Sequence, residues 1–296
     1  MTISCCLMGG LGNQLFQIFA TMALAMQKGE SFCFTNATTL GGEGCTTRYT
    51  YWDTFLSSLR PFLQQNITPY THHVIQEKGF RFDTDLKKQC LVEKNKNIML
   101  KGYFQSPRYF ESHFSWIIRF LNIQKQREHV NEKYIMTTLS EKNVVPFEHT
   151  ISMHFRLGDY VNLPQHHPLA TFEYYTRALE WISMKTQNKM THVLVFCEES
   201  DFEIVQSKIN IFQTQFPSFT FVFAPFVGFV DWEHMLLQSL CRHHVIANST
   251  FSWWGAYLNP NSNTWVTYPE HWFGSACSPD HKTFDLCPEH WQKITC

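Results

Sequence analysis

The chain alternates short apolar runs with longer stretches whose apolar positions recur at helical spacing. Residues 3–8 form an apolar run of strand length, and the segment Gly9-Gly10-Leu11-Gly12-Asn13-Gln14 breaks it. Residues 15–27 then place Leu15, Phe19, Met22 and Met26 on one face of a predicted helix. A second strand is predicted at 31–36. From 41 to 89 the periodicity fades into aromatic residues scattered among polar ones, which reads as loops and short helices. Order returns with a strand at 98–104, then a helix opened by Pro107 and lined by Tyr109, Phe110, Phe114, Ile117 and Leu121. Another helix is predicted at 131–140.

Beyond the polar stretch 141–148 the alternation is regular. Strands at 150–156, 192–197, 219–224, 244–248 and 264–268 interleave with helices at 171–186, 200–212, 231–241 and 250–258. Such a pattern means βα units, a parallel sheet and helices on both faces. The predicted class is therefore α/β, with one domain at 1–147 and another at 148–296.

Composition narrows the function. Hydrophobic residues at 44% supply ample core, while charged residues are only 17% and the formal net charge is −1. That balance offers no basic footprint for nucleic acid and no polybasic membrane patch. No apolar run has the length of a membrane span, and no signal peptide or anchor is read, so a cytoplasmic protein is expected. The cysteines include no Cys-x-x-Cys pair, which argues against zinc knuckles and redox motifs. Cys197 and Cys241 read as reduced core thiols, and Cys277, Cys287 and Cys296 as unbridged. Sequons at Asn36, Asn66 and Asn248 read as chance.

Several stretches can carry chemistry. His154, Arg156 and Asp159 lie together at a predicted strand end, where charges leave water only when paired and where open α/β sheets bind ligands. An internal Arg156–Asp159 salt bridge explains them equally well. The turn at 9–14 is of the kind that brings backbone close to a phosphate or sugar at a helix N-terminus, but it is neither the dinucleotide fingerprint nor a P-loop, and a tight strand-to-helix turn without a ligand explains it equally well. Asn13 and Gln14 there offer the donors and acceptors that read a hydroxylated ligand. Asn248, Ser249 and Thr250 are three cap candidates before a helix, and capping accounts for one of them. Trp253 and Trp254 read as core, with one of the two free to line a site. Asp231 is either an N-cap or an acceptor for the N1–H and amino group of guanine. Glu198 and Glu199 end a predicted strand where a ligand ribose could lie, although a solvated loop is the better reading. Asp83-Thr84-Asp85 matches a metal–diphosphate pattern but reads better as a solvated turn. The histidine pairs at 72–73, 166–167 and 243–244 point their rings apart, against metal binding.

With Gly102-Tyr103-Phe104-Gln105-Ser106 added to the stretches at 9–17, 154–160 and 247–255, the chain resembles the α-1,2-fucosyltransferase family in its short bacterial and viral form. The resemblance implies a GT-B-like fold, two Rossmann-like domains with the active site in the cleft between them. It implies inverting transfer of fucose from GDP-fucose to the 2-hydroxyl of an acceptor sugar, expected to be a β-galactoside. No metal or other cofactor is implied; the partners are GDP-fucose and a glycan. On this pattern Arg156 holds the donor pyrophosphate with His154 beside it, and Gly10, Asn13 and Gln14 reach the diphosphate or fucose. Asn248, Ser249, Thr250 and Phe251 line the phosphate and nucleoside, and Asp231 reads guanine. Asp159 is preferred to His154 as the base, the alternative being a late proton loss that needs no strong base. One departure stands out: many members carry a second arginine where this chain has Leu157. A GT-B transferase of another sugar, or to a non-galactose acceptor, and a carbohydrate-binding protein without turnover are the alternatives.

Overall fold

Five parallel strand pairings in one half of the chain and three in the other build two separate sheets. The computed structural model describes residues 1–41, 46–65, 67, 72–139, 144–277 and 281–295; Cys45, Asn66 and Cys296 lie outside them. The chain divides into a unit of Met1–Lys125 with Pro279–Pro288 and a unit of Gln126–Ser278 with Glu289–Cys296.

The first unit runs β1 (Thr2–Cys5), α1 (Leu11–Lys28), β2 (Ser31–Phe32), β3 (Phe34–Thr35), β4 (Thr39–Leu40), β5 (Arg48–Tyr49), β6 (Leu63–Gln64), β7 (His73–Gln76), α2 (Thr84–Val92), β8 (Ile98–Lys101) and α3 (Phe114–Phe120). Its main sheet has the order β2-β1-β8-β7. Helix α1 begins at Leu11, four residues before the predicted start, because Gly10 at the cap is extended and lets the turn wind immediately. It ends at Gly29, whose left-handed φ of 73° and N–H to Met26 O (3.1 Å) close the last turn. The strand order reverses between β1 and β8, so the loops at 6–10 and 102–106 flank a switch point.

The second unit holds α4 (Ile123–Thr138) from Gln126 onward and continues β9 (Thr150–His154), α5 (Phe172–Thr186), β10 (His192–Phe196), α6 (Phe202–Gln215), β11 (Thr220–Phe223), α7 (Asp231–Gln238), β12 (His243–Val245), α8 (Thr250–Tyr257), β13 (Val266–Pro269) and β14 (Gln292–Ile294). The sheet order β11-β10-β9-β12-β13-β14 is the Rossmann order. Its switch point lies between β9 and β12. Ile151, Met153, Phe155 and Leu157 follow the period-2 alternation into one core cluster with α5 and α6.

Two differences from the sequence expectation concern α4 and β14. The division falls at Lys125/Gln126 rather than at 147/148, since α4 packs within the second unit: Arg127 donates to Leu258 O (2.6 Å) and Val130 and Tyr134 are buried. The last strand, β14, was not anticipated; after Pro288 the chain returns to pair with β13 in parallel.

Candidate active site

Period-2 alternation puts Ser152, His154 and Arg156 on the face of β9 opposite the core cluster. The ring of His154 is 7% exposed and lies 5.5 Å from Phe251 at the start of α8. Burial, with Arg156 and His234 nearby, lowers its pKa to about 3, so it is a neutral imidazole, and Nδ1 has no hydrogen-bond partner among the described residues. Arg156 is held by two carboxylates: Nη2 donates to Asp159 Oδ1 (2.5 Å) and Nη1 to Glu198 Oε1. Its Cζ stands 5.0 Å over the Tyr160 ring. Burial alone would lower the guanidinium pKa, but Glu198, Asp159 and Tyr160 raise it, so the charge is secure. The Arg156–Asp159 salt bridge that the sequence allows is present, and Glu198 joins it.

Glu198, read from sequence as part of a solvated loop, is instead the second carboxylate on Arg156. It follows β10, the neighbour of β9, and it fits because Gly158 has φ 38° and no Cβ; a methyl there would stand 3.0 Å from Glu198 Oε2. Asp201 accepts the Gly158 N–H (3.0 Å) and fixes the same turn. A glycine following an arginine at a strand end was the available signal.

Asn248, at the carboxyl end of β12, is 1% exposed, and its Nδ2 donates to Pro168 O (2.8 Å) and Trp272 O (3.2 Å). It therefore ties two loops together, and Tyr160 Oη donates to its backbone O (3.3 Å). Ser249 is the cap of α8, accepting from Phe251 N (3.3 Å); Thr250 opens the helix. Both Trp253 and Trp254 are fully buried, so neither lines a site. Asp231 is exposed and is the first residue of α7 rather than its cap. The cap position is Val230, whose N–H donates to Glu233 (3.0 Å), while Asp231 Oδ1 accepts from Trp232 N (2.7 Å). Leu157 is 7% exposed within the core cluster, so position 157 faces packing in this chain.

The first unit's switch point is built from neutral groups. Gly9 has φ 77°, and a Cβ there would stand 2.4 Å from Asn13 Nδ2. Asn13 Oδ1 accepts from Gln105 Nε2 (3.1 Å), which joins the two motif loops. Gly10 leaves open space where a Cβ would be and gives α1 no side-chain cap. Gln14, by contrast, is fully buried; its Nε2 donates to Gly9 O (3.0 Å) and Tyr49 O (2.9 Å), so it shapes the loop from inside. Gln17 does the same for Met8, through both N–H (2.8 Å) and C=O (2.9 Å). Glu77, which the sequence did not single out, accepts from Tyr103 N (2.8 Å), Phe104 N (2.9 Å) and Tyr109 Oη (3.0 Å). Asp83 is the N-cap of α2, accepting from Leu86 N (2.9 Å).

Two Rossmann-like units with a fixed arginine at the switch point of the larger sheet define an α/β protein of the GT-B type. The comparisons make it specific: the family model "Glycosyl transferase family 11" matches residues 13–276, and the chain belongs to that family. It is therefore a glycosyltransferase. It is 26% identical over 292 residues to the O-antigen biosynthesis glycosyltransferase WbnK of Escherichia coli, covering 89% of this chain and 92% of that one. It is 27% identical over 267 residues to an Escherichia coli alpha-1,2-colitosyltransferase, covering 85% and 86%. The fold is similar to that of an Arabidopsis thaliana FUT1 mutant solved in complex with GDP, with TM-score 0.52, 12% identity, and coverage of 92% of this chain and 71% of that one. No described helix is long and apolar enough to cross a membrane.

Proposed function

We propose that the chain transfers L-fucose from GDP-fucose to the 2-hydroxyl of a terminal β-galactoside, with inversion and without a metal ion. The observation that carries this reading is Arg156, a planar cation oriented by two carboxylates at the Rossmann switch point. As the bond from C1 to the β-phosphate oxygen breaks, negative charge grows on the diphosphate, and a bidentate guanidinium stabilises it better than an ammonium would. The acceptor oxygen attacks C1 from the opposite face, and its proton passes to Asp159. His154 is too weakly basic for that step, because burial holds it neutral down to about pH 3. Asp231, exposed at the start of α7, accepts from the guanine edge. Ser249, Thr250 and Phe251 flank the donor phosphates at α8.

The test is turnover of GDP-fucose with galactose-, rhamnose- and xylose-terminated glycans, with the new linkage read by NMR in the presence of EDTA. An α-1,2 product on galactose is expected. Activity abolished by EDTA and restored by Mn²⁺ would refute the metal-free mechanism. A second reading, transfer of another deoxy-sugar, is favoured by the relative named for colitosyl transfer. Turnover of GDP-colitose but not GDP-fucose would select it, and stabilisation by UDP above GDP would refute the guanine assignment.

A further inference from the structure

At the amino ends of the second unit's strands, opposite to Arg156, lies a cavity of about 330 Å³ that the transfer chemistry does not use. Its lining includes Lys185, Lys189, Arg242, His243, Asn263 and Trp265, and no carboxylate among the described residues. Lys185 has an aromatic neighbour on each side, Trp181 at 5.3 Å and Trp265 at 5.6 Å, and it also complements the carboxyl end of α5. Lys189 and Arg242 have no acidic partner among the described residues. Three cations gathered without a counter-charge repel one another, an arrangement that an anion relieves.

His243 supplies the second, independent observation. It is 3% exposed, and its Nδ1 accepts the Trp265 N–H (3.0 Å). The neutral ring therefore carries its proton on Nε2. No group among the described residues accepts that proton, and the ring lines the cavity. A nearly buried N–H donor left to face a cationic cavity wants an anionic oxygen. The place is separate from the donor site: His243 pairs in register with Ile151, roughly 10 Å along β9 from His154.

We propose that this cavity is a second anion site, which takes a phosphate-bearing ligand between Lys189, Arg242 and the Nε2–H of His243. The aromatic face of Trp265 at the rim is 37% exposed and offers apolar contact to whatever carries the phosphate. The ligand is either a free phosphorylated compound or a phospholipid headgroup; the recognition chemistry is the same.

The test titrates inorganic phosphate into the full chain saturated with GDP, by calorimetry, beside a Lys189→Glu/Arg242→Gln double variant. Affinity should fall about tenfold or more in the variant with the thermal midpoint retained; Lys189→Gln alone, a change on an exposed loop, covers the case of a double variant that does not fold. In parallel, sedimentation is measured with vesicles of phosphatidic acid in phosphatidylcholine and with phosphatidylcholine alone. Capture by the acidic vesicles that phosphate competes away and the variant loses supports the site with a headgroup as ligand. Phosphate binding without capture supports it with a free phosphorylated ligand. Absence of both phosphate binding and capture, or phosphate binding undiminished in the variants, overturns the proposal.

Discussion

At the β1–β8 switch point the motif residues are neutral and largely engaged with one another. Gln17 closes both backbone groups of Met8, Gln14 ties Gly9 to Tyr49, and Asn13 meets Gln105. At the β9–β12 switch point the motif residues are ionic: one guanidinium between two carboxylates, beside an imidazole kept neutral. Carboxamides give a loop a shape that does not depend on pH, whereas ion pairs at a half-open strand end hold a charge in a chosen direction and leave it responsive. Burial also moves a carboxyl of the first unit and two imidazoles of the second in opposite directions, holding each of them neutral. Burial pushes Glu77 of the first unit up to about 7, while it pulls His243 to about 4 and His244 to about 3 in the second.

The largest expected effect uses that opposition. His154, His243 and His244 are neutral when folded and titrate near 6.5 when unfolded. As the pH falls below about 6.5 the unfolded second unit binds more protons, and each imidazole costs roughly 1 kcal/mol per pH unit until its folded value is reached. His244 has no freedom to protonate cheaply, since its Nε2 accepts from Asn259 (2.8 Å) and its Nδ1 meets Ser152 Oγ (2.7 Å). Glu77 acts with the other sign: its folded pKa lies above the ordinary 4.5, so its contribution is full below 4.5 and is lost as the pH rises through about 7. Hydrogen exchange between pH 7 and 5, corrected for intrinsic rates, should show α5, α7 and α8 losing protection while α1 and β8 keep theirs. Equal loss in both units would break the comparison.

Next in size is Arg156→Lys, which keeps the charge and removes the fork. Turnover should fall by about a hundredfold or more, close to 3 kcal/mol of barrier, with the thermal midpoint unchanged. Near wild-type turnover would mean that a point charge suffices at this strand end.

The second unit was the more legible in sequence, and the reason is physical. Its strands β9 and β10 are buried on both faces, so they read as apolar runs bounded by polar loops, and its helices keep a clear apolar face. The first unit's strands are short, and β3 and β6, two residues each, form a separate two-stranded sheet too short for any period. Helix α4 was shortened because its buried residues Ile123, Val130 and Tyr134 are spaced among charged ones, with Arg127 buried through a backbone carbonyl. The site residues show a subtler limit. Gln14 and Asn13 are adjacent carboxamides with identical donors and acceptors, and a backbone carbonyl satisfies an amide as well as a sugar hydroxyl does. Only the fold separates the one turned inward from the one at the loop junction. Glu77 goes unread, and Glu198 is read without its partner, for a related reason: each acts on a glycine-containing loop some tens of residues away, a pairing that no local pattern encodes.

Gln17→Leu sharpens the neutral side of the comparison. It leaves the N–H and C=O of Met8 without their partner in a part-buried loop, at a cost of about 2–3 kcal/mol. The loss should appear as a lower denaturation midpoint with α1 exchanging faster, and α5 unaffected. Destabilisation of both units alike would mean that they unfold as one body.

The smallest effect is the most discriminating one. Glu77→Gln replaces the carboxyl by a group shaped like its protonated form. The amide oxygen can still accept from Tyr103 N and Phe104 N, as Oε2 does now. The amide nitrogen would face Tyr109 Oη, which already accepts from Asp83 N (2.8 Å), so one hydrogen bond is strained. The cost should be about 1 kcal/mol or less when measured near pH 5, where Glu77 is itself protonated in the folded unit. Above pH 7 the carboxylate is desolvated without a cation among its contacts, so the variant should match or exceed the wild type there. The signature is thus a crossing of the two stability curves as the pH rises, with the glutamine variant the flatter. A wild-type first unit whose stability climbs through pH 7 would show instead that Glu77 is ionised and held by its three donors, and that neutrality is not what organises this switch point.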